Sequence, residues 1–219
     1  IIWIVGITNA VNLIDGLDGL AVGVSSIASI TMLAVALLTD NMAIAITMAA
    51  LTGACIGFMP YNLNPAKIFM GDTGSTFLGY MLATVSIMGL FKFYAVISFA
   101  VPFLILGLPI FDTANAIIRR LAEGRSPMSP DRGHVHHKLI DMGFNQKQAV
   151  AILYAISATL GLTAVVLTSS GEVKAVVLLA AVLAAILVGA CIIYGAEHWG
   201  KQQNKNSNQA AQEEKNKHE

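Results

Sequence analysis

Asn9, Asn12, Asp15 and Asp18 recur every third residue where the surrounding sequence is almost wholly apolar. An ionised Asp placed inside apolar surroundings costs roughly 2.5–3.5 kcal/mol on membrane-insertion scales, so such a residue faces protein or a water-filled cavity. Spacing of three makes neighbours adjacent on a helix. At about 100° per residue, however, the row drifts by roughly half a turn between Asn9 and Asp18. One helix face cannot present all four. The helix is therefore expected to end or bend at Gly16 and Gly19, which returns the later carboxylates to a shared cleft. A plain boundary turn would also use Asp and Gly, but it gives no reason for Asn9 and Asn12 to extend the row.

A second group runs from Pro60 to Ser75 and holds Asn62, Asn64, Lys67, Phe69 and the string Gly71-Asp72-Thr73-Gly74. Asp72 lies directly before an apolar stretch. A helix starting there would offer free N–H groups to an anion. Its carboxylate suits Mg²⁺, which favours one or two carboxylates with phosphate oxygens and water. Phe69 could stack on a base and Asn62 could hydrogen-bond a base or ribose. The simpler roles are a helix cap for Asp72 or Thr73 and an interfacial anchor for Phe69.

The third group starts with Asp112, Asn115, Arg119 and Arg120, then continues through Arg125, Asp131, Arg132, His134, His136, His137 and Lys138. Prolines and Gly133 mark the middle as a loop, and Asn145 is placed to cap the next helix. Clustered Arg, Lys and His suit phosphate groups. Orientation and anionic-lipid contact would explain part of the basic content. Zinc is the other reading of the histidines, but it lacks a nearby Cys and a fourth ligand.

These groups need a scaffold, and the composition says which. Of 219 residues, 56% are hydrophobic and 12% charged, with a mean hydropathy of +0.69. Soluble domains carry about 25% charged residues, so the chain belongs to the membrane class. Six stretches are predicted as complete spans: Leu17–Leu38, Met42–Met59, Ser75–Leu90, Phe93–Phe111, Ala149–Thr168 and Val173–Gly195. Each is near the ~20 residues that cross a hydrocarbon core. Ile1–Ile14 reads as part of a seventh, which makes the chain an expected fragment. The fold class is thus an all-α, polytopic transmembrane bundle over residues 1–198. Its polar loops are expected at 60–74 and 112–147, followed by a disordered polar tail at 199–219. Cys55 and Cys191 lie in apolar runs and read as small core residues.

Alternating the spans puts eleven Lys and Arg on one side and only Lys92 and Lys174 on the other. By the positive-inside rule the loop-rich face is cytoplasmic. All three polar groups then share that face. Carboxylates able to hold a cation beside basic groups able to hold phosphate form a site suited to phosphoryl transfer.

At these same residues the chain resembles the polyprenyl-phosphate N-acetylhexosamine-1-phosphate transferases. The likeness rests on the Asn9–Leu20 row, on Asn62–Ser75 and on Asp131–Leu139, in that order, and runs from residue 1 to about Gly195. The spacing of His134, His136 and His137 is similar to the branch using UDP-N-acetylglucosamine, nearest to the Gram-positive members that start the teichoic-acid linkage unit. It is less like the phospho-N-acetylmuramoyl-pentapeptide translocases. What the resemblance implies is that undecaprenyl phosphate attacks the β-phosphate of UDP-GlcNAc, with Mg²⁺ or Mn²⁺, in the cell membrane. By position, Asp72 matches the metal ligand. Asp18, Phe69 and Asn62 match the nucleotide pocket, with Asn12 and Asp15 beside them. His134, His136 and His137 match the loop near sugar and diphosphate. Among the basic groups, Arg132 and Lys138 are the expected phosphate contacts. The family's paired-Asp motif and a nucleotide-side Lys lie upstream in relatives and are not in this chain, so these 219 residues alone are expected to be inactive.

Membrane lipid is an expected partner, nucleic acid is not, and a homodimer is left open. A secondary transporter would also place Asn and Asp within broken helices. It calls for repeated halves and polar residues deep in several spans, and neither is visible. A structural membrane subunit leaves the histidine loop without a purpose.

Overall fold

Each predicted polar break in the first ninety residues separates two helices in the computed structural model, which describes residues 1–90, 95–126 and 133–169. The sixth predicted span, the polar tail, Lys92, Asp131, Arg132 and Cys191 lie outside the described residues. Those described are all-helical: α1 Ile2–Leu13, α2 Leu20–Leu38, α3 Met42–Asn62, α4 Gly71–Leu90, α5 Ala95–Ile105, α6 Gly107–Ala122, α7 Val135–Asp141 and α8 Gln146–Ser169. Among them α2, α3 and α8 are long and apolar enough to cross a membrane, and α1 is a shorter apolar helix. The protein is a polytopic membrane helix bundle.

α2 is its centre. Its most apolar window is 72% buried, against 22% for α3 and 33% for α8. α3, α8 and α4 pack on α2, while α1 packs on α4 and α6. Outward residues such as Ile30, Leu37, Ile46, Ile56 and Met88 stay exposed, as expected where lipid rather than water is the neighbour. Close packing uses glycine. A Cβ on Gly23 would stand 2.0 Å from the Tyr154 ring, and one on Gly79 would stand 2.8 Å from the Thr8 Cα. Ser29 and Thr52 join α2 to α3 by a hydroxyl–hydroxyl bond of 3.0 Å.

One predicted span needs correction. Phe93–Phe111 is not a single helix: it breaks at Leu106, between α5 and α6. Pro109 has no N–H to give the Ile105 carbonyl, and its ring crowds that carbonyl. The chain resumes with Ile110 N–H donating to the Leu106 carbonyl. α6 then runs on to Ala122, deep into the predicted 112–147 loop. Its buried residues include Leu108, Asp112, Ala116 and Arg120, a row at spacing four. The helix is thereby amphipathic, with a carboxylate on its inward face.

The polar connections are shorter than predicted. α3 passes through Pro60 to Asn62 and α4 begins at Gly71, which leaves only residues 63–70 between them. Gly71 has φ +66, a left-handed conformation that glycine tolerates and other residues rarely adopt. α8 starts with a reciprocal cap. Gln148 N–H donates to Asn145 Oδ1 at 2.9 Å and Asn145 N–H donates to Gln148 Oε1 at 3.0 Å, so Asn145 caps as expected.

Candidate active site

The α1–α2 turn, residues 14–19, is the hub on which the polar groups converge. α1 ends at Leu13, and the turn closes through Asp15 N–H to the Asn12 carbonyl at 3.1 Å and Gly16 N–H to the Ile14 carbonyl at 2.8 Å. Gly19 has φ +82 and hands the chain to α2. The predicted bend is therefore present, and it separates Asp15 and Asp18 from the helical row of Asn9 and Asn12. Beneath the turn, Ile14, Leu20, Ala21 and Val24 form one apolar cluster with Leu108, Leu139 and Leu153, and Leu17 and Met70 pack against it. This cluster ties the turn to α6, α7 and α8 at once.

The second group reaches the turn by hydrogen bonds. Asn62 is 3% exposed. Its Oδ1 accepts from Gly19 N–H at 3.2 Å while its Nδ2 donates to the Ile68 carbonyl at 2.9 Å. Asp18 Oδ2 accepts from Asn64 Nδ2 at 3.0 Å and from Ala66 N–H at 3.1 Å. Asn64 also donates to Gln146 Oε1 at 2.8 Å, which reaches α8. Asn12 Oδ1 accepts from the buried Ser75 hydroxyl at 2.7 Å and so pins α1 to the start of α4. Three residues predicted to meet a nucleotide, Asn62, Asp18 and Asn12, thus hold the loops around the turn together. Phe69 differs: it is 76% exposed on the 63–70 segment, free to present a ring face.

Asp15 and Asp72 form the electrostatic centre. Asp72 is exposed in the first turn of α4, and Asp15 is half-buried in the hub. Burial, and next the nearby Asp72 charge, raise the Asp15 carboxyl above its usual 3.8. Neither carboxylate accepts a hydrogen bond among the described residues. Two like charges close enough to couple, with open lone pairs and one facing solvent, are a donor set that Mg²⁺ can accept, the rest of its shell being water and phosphate oxygen. No group of three or more His, Cys, Asp or Glu able to hold a metal occurs among the described residues, so any ion here would take most of its shell from water and substrate oxygens.

The third group arrives through α7. Asp112, 2% exposed, accepts from His134 Nδ1 at 2.9 Å and from Val135 N–H at 2.8 Å. Arg119 donates to the Gly133 carbonyl at 2.9 Å. The His134 and His136 rings stack, with centroids 5.7 Å apart and planes 7° apart, and His137 follows at 4.2 Å from His136. His134 and His136 are buried at 5% and 2%, while His137 is half-exposed. Burial and the neighbouring His137 hold His136 down to about 4, so it is neutral at physiological pH and offers no charge to a phosphate. Lys138 sits in the last turn of α7. The reading from sequence placed Asp112 in the third group but gave it no role in the site. Its place at spacing four from Leu108 and Ala116 was the available signal. Beside the hub lies a recess of about 290 Å³ lined by Asp18, Asn64, Lys147, Leu63, Val150 and Tyr154.

Residues 1–90 match the family described as glycosyl transferase family 4. The chain is 45% identical to a probable undecaprenyl-phosphate N-acetylglucosaminyl 1-phosphate transferase of Bacillus subtilis, over 78% of this chain and 48% of that protein. It is 40% identical to a decaprenyl-phosphate N-acetylglucosaminephosphotransferase of Mycolicibacterium smegmatis, over 68% of this chain and 42% of that one. To a phospho-N-acetylmuramoyl-pentapeptide-transferase of Staphylococcus haemolyticus it is 37% identical, over 74% and 49%. The chain spans about half the length of the curated relatives it matches. The hub, the Asp72 segment and α4 all fall within residues 1–90, the part of the chain that matches glycosyl transferase family 4.

Proposed function

We propose that the protein transfers GlcNAc-1-phosphate from UDP-GlcNAc to undecaprenyl phosphate, giving undecaprenyl-diphospho-GlcNAc and UMP. The observation that carries this reading is the pairing of Asp15 with Asp72 in the same hub that receives the histidine helix. In the reaction an oxygen of the lipid phosphate bonds to the β-phosphorus, and the bond from that phosphorus to the bridging oxygen breaks. UMP leaves with the bridging oxygen. A phosphate monoester has its second pKa at about 6, so the attacking oxygen needs no proton removed at neutral pH. The demand is for charge screening and alignment.

Asp72, with Asp15 beside it, would hold Mg²⁺ or Mn²⁺, which supplies screening of the diphosphate charge when bound. Phe69 would stack on the uracil. His137 and Lys138 lie on the exposed side of α7 and suit the diphosphate, with Arg132 as a further candidate contact. Asn12, Asp18 and Asn62 serve by keeping the hub closed. The site opens on the cytoplasmic face of the cell membrane, where nucleotide sugars are found, and the lipid product would start a cell-wall polymer such as the teichoic-acid linkage unit.

The likeness to phospho-N-acetylmuramoyl-pentapeptide-transferases, 53% over 88 residues for that of Staphylococcus epidermidis, makes the choice of sugar the point to test. Full-length protein in nanodiscs with undecaprenyl phosphate and Mg²⁺ is offered UDP-GlcNAc, UDP-GalNAc or the muramoyl-pentapeptide nucleotide, and lipid products are read by mass spectrometry. Undecaprenyl-diphospho-GlcNAc with equimolar UMP is expected. A muramoyl-pentapeptide lipid instead would move the protein to the other branch, and no lipid product from any donor would end the transferase reading.

A further inference from the structure

We propose that Asp112 is a positioning residue that holds the Asp15–Asp18 turn in place through two buried imidazoles, His134 and His136. Both oxygens of Asp112 are used: Oδ2 by His134 Nδ1 and Oδ1 by Val135 N–H. A carboxylate in these two bonds only accepts, so His134 carries its proton on Nδ1 and its tautomer is fixed. The second bond satisfies the first N–H of α7, which no helix can satisfy internally. One buried side chain on α6 therefore sets both the ring of His134 and the start of α7.

The effect passes on by packing. His134 lies parallel to His136, and His136 abuts the hub. A Cβ on Gly16 would stand 2.4 Å from His136 Nε2 and 3.0 Å from Cε1. No side chain fits between the imidazole and the turn. His136 Nε2 is buried without a hydrogen-bond partner, which suits a ring held by its faces and edge and kept neutral. An Asp–His pair could instead serve as a proton relay at the reacting atoms. His134 is 5% exposed and covered by His136, so substrate has no access to it, and positioning is the role its burial allows. Of the three histidines, only His137 is left to face a ligand.

The structural part of this proposal stands on the hub's geometry; its consequence for turnover rests on the transferase reading. The test uses full-length protein in nanodiscs with ¹⁵N-labelled histidine, and amide hydrogen exchange read over residues 14–19. In wild type, His134 is expected as the Nδ1–H tautomer. In Asp112→Asn the amide oxygen still accepts from Val135 while its NH₂ donates to His134, so the ring switches to the Nε2–H tautomer and exchange at 14–19 stays slow. Asp112→Ala and His136→Ala should each speed exchange at 14–19 by about tenfold or more, in line with a loosened local unit. Arg125→Ala, whose side chain pairs with the exposed Glu123, should leave it unchanged.

If transfer is observed, Asp112→Ala should lower kcat by about tenfold with KM changed less than threefold, since it displaces the carboxylate pair rather than a binding contact. Unchanged exchange in both alanine variants, or no tautomer switch in Asp112→Asn, overturns the proposal; should Asp112→Ala not fold, the Asn variant decides alone. Failure of wild type to transfer sugar phosphate would sink the functional reading while the tautomer and exchange results still judged the positioning.

Discussion

Asp15 and Asp72 approach each other only because a turn and a helix start meet, and the Asp72 charge bears on the Asp15 carboxyl. Burial is the larger cause of the raised Asp15 carboxyl and the Asp72 charge the smaller. Asp72→Asn should therefore move the Asp15 titration, followed by carboxyl ¹³C shift, to lower pH without returning it to 3.8. The same variant should cut transfer by about 100-fold or more, the scale of losing one charge-stabilising element. His136 gives a second pH effect. Its folded value, about 4, lies below the usual 6.5, so between those values the unfolded chain binds more protons than the native one. Stability should fall as pH drops from about 6.5 towards 4, and a thermal scan series of His136→Phe should show a shallower slope there than wild type.

At this scale the sequence was informative about residue types and less so about what they touch. Asp72, Asp15 and Phe69 could be picked out because a charged or aromatic side chain beside glycine in apolar sequence has few other reasons to be there. Asn62 and Asp18 carried the same signal, yet their side chains bond to backbone and to Asn64. An amide that would hydrogen-bond a ligand and one that closes a loop look alike until the partners are known. Asp112 was grouped with the basic residues that follow it, and nothing in the sequence told which of them its carboxylate would bond.

Among the elements, contact distances rather than hydropathy set what can change. Gly23 lies under the Tyr154 ring, whose hydroxyl donates to the Gly19 carbonyl at the hub. Gly23→Ala should overpack α2 against α8 and cost about 1–3 kcal/mol, seen as a lowered Tm in detergent. Gly53→Ala, with nothing within 4 Å, should be neutral or raise it, since alanine is the better helix former by about 0.5–1 kcal/mol. A drop in Tm for both variants alike would show that the α2–α8 contact is not specific. The long spans of α2, α3 and α8 were legible because apolar runs of that length have one economical use. The break at Leu106 was not, since the apolar content of Phe93–Phe111 outweighs two prolines in any window average, whereas a single missing N–H at Pro109 decides where the helix stops.

For the molecule as a whole, the predicted meeting of three polar groups has a physical basis in the hub. α2 is buried at the centre, its N-terminal turn faces the 63–70 segment, α4, α7 and α8 together, and one apolar cluster lies beneath. That convergence was legible in the sequence through parity of spans, although one span was wrong, because α5 and α6 together still return the chain to the hub. The most direct test is side-specific labelling in sealed membrane vesicles of known orientation, with Cys55 and Cys191 replaced by Ala and single cysteines at Lys67 and His137. A membrane-impermeant maleimide should label both positions from the cytoplasmic side and neither from the other. Labelling of the two from opposite sides would contradict a shared site, whatever the motifs resemble.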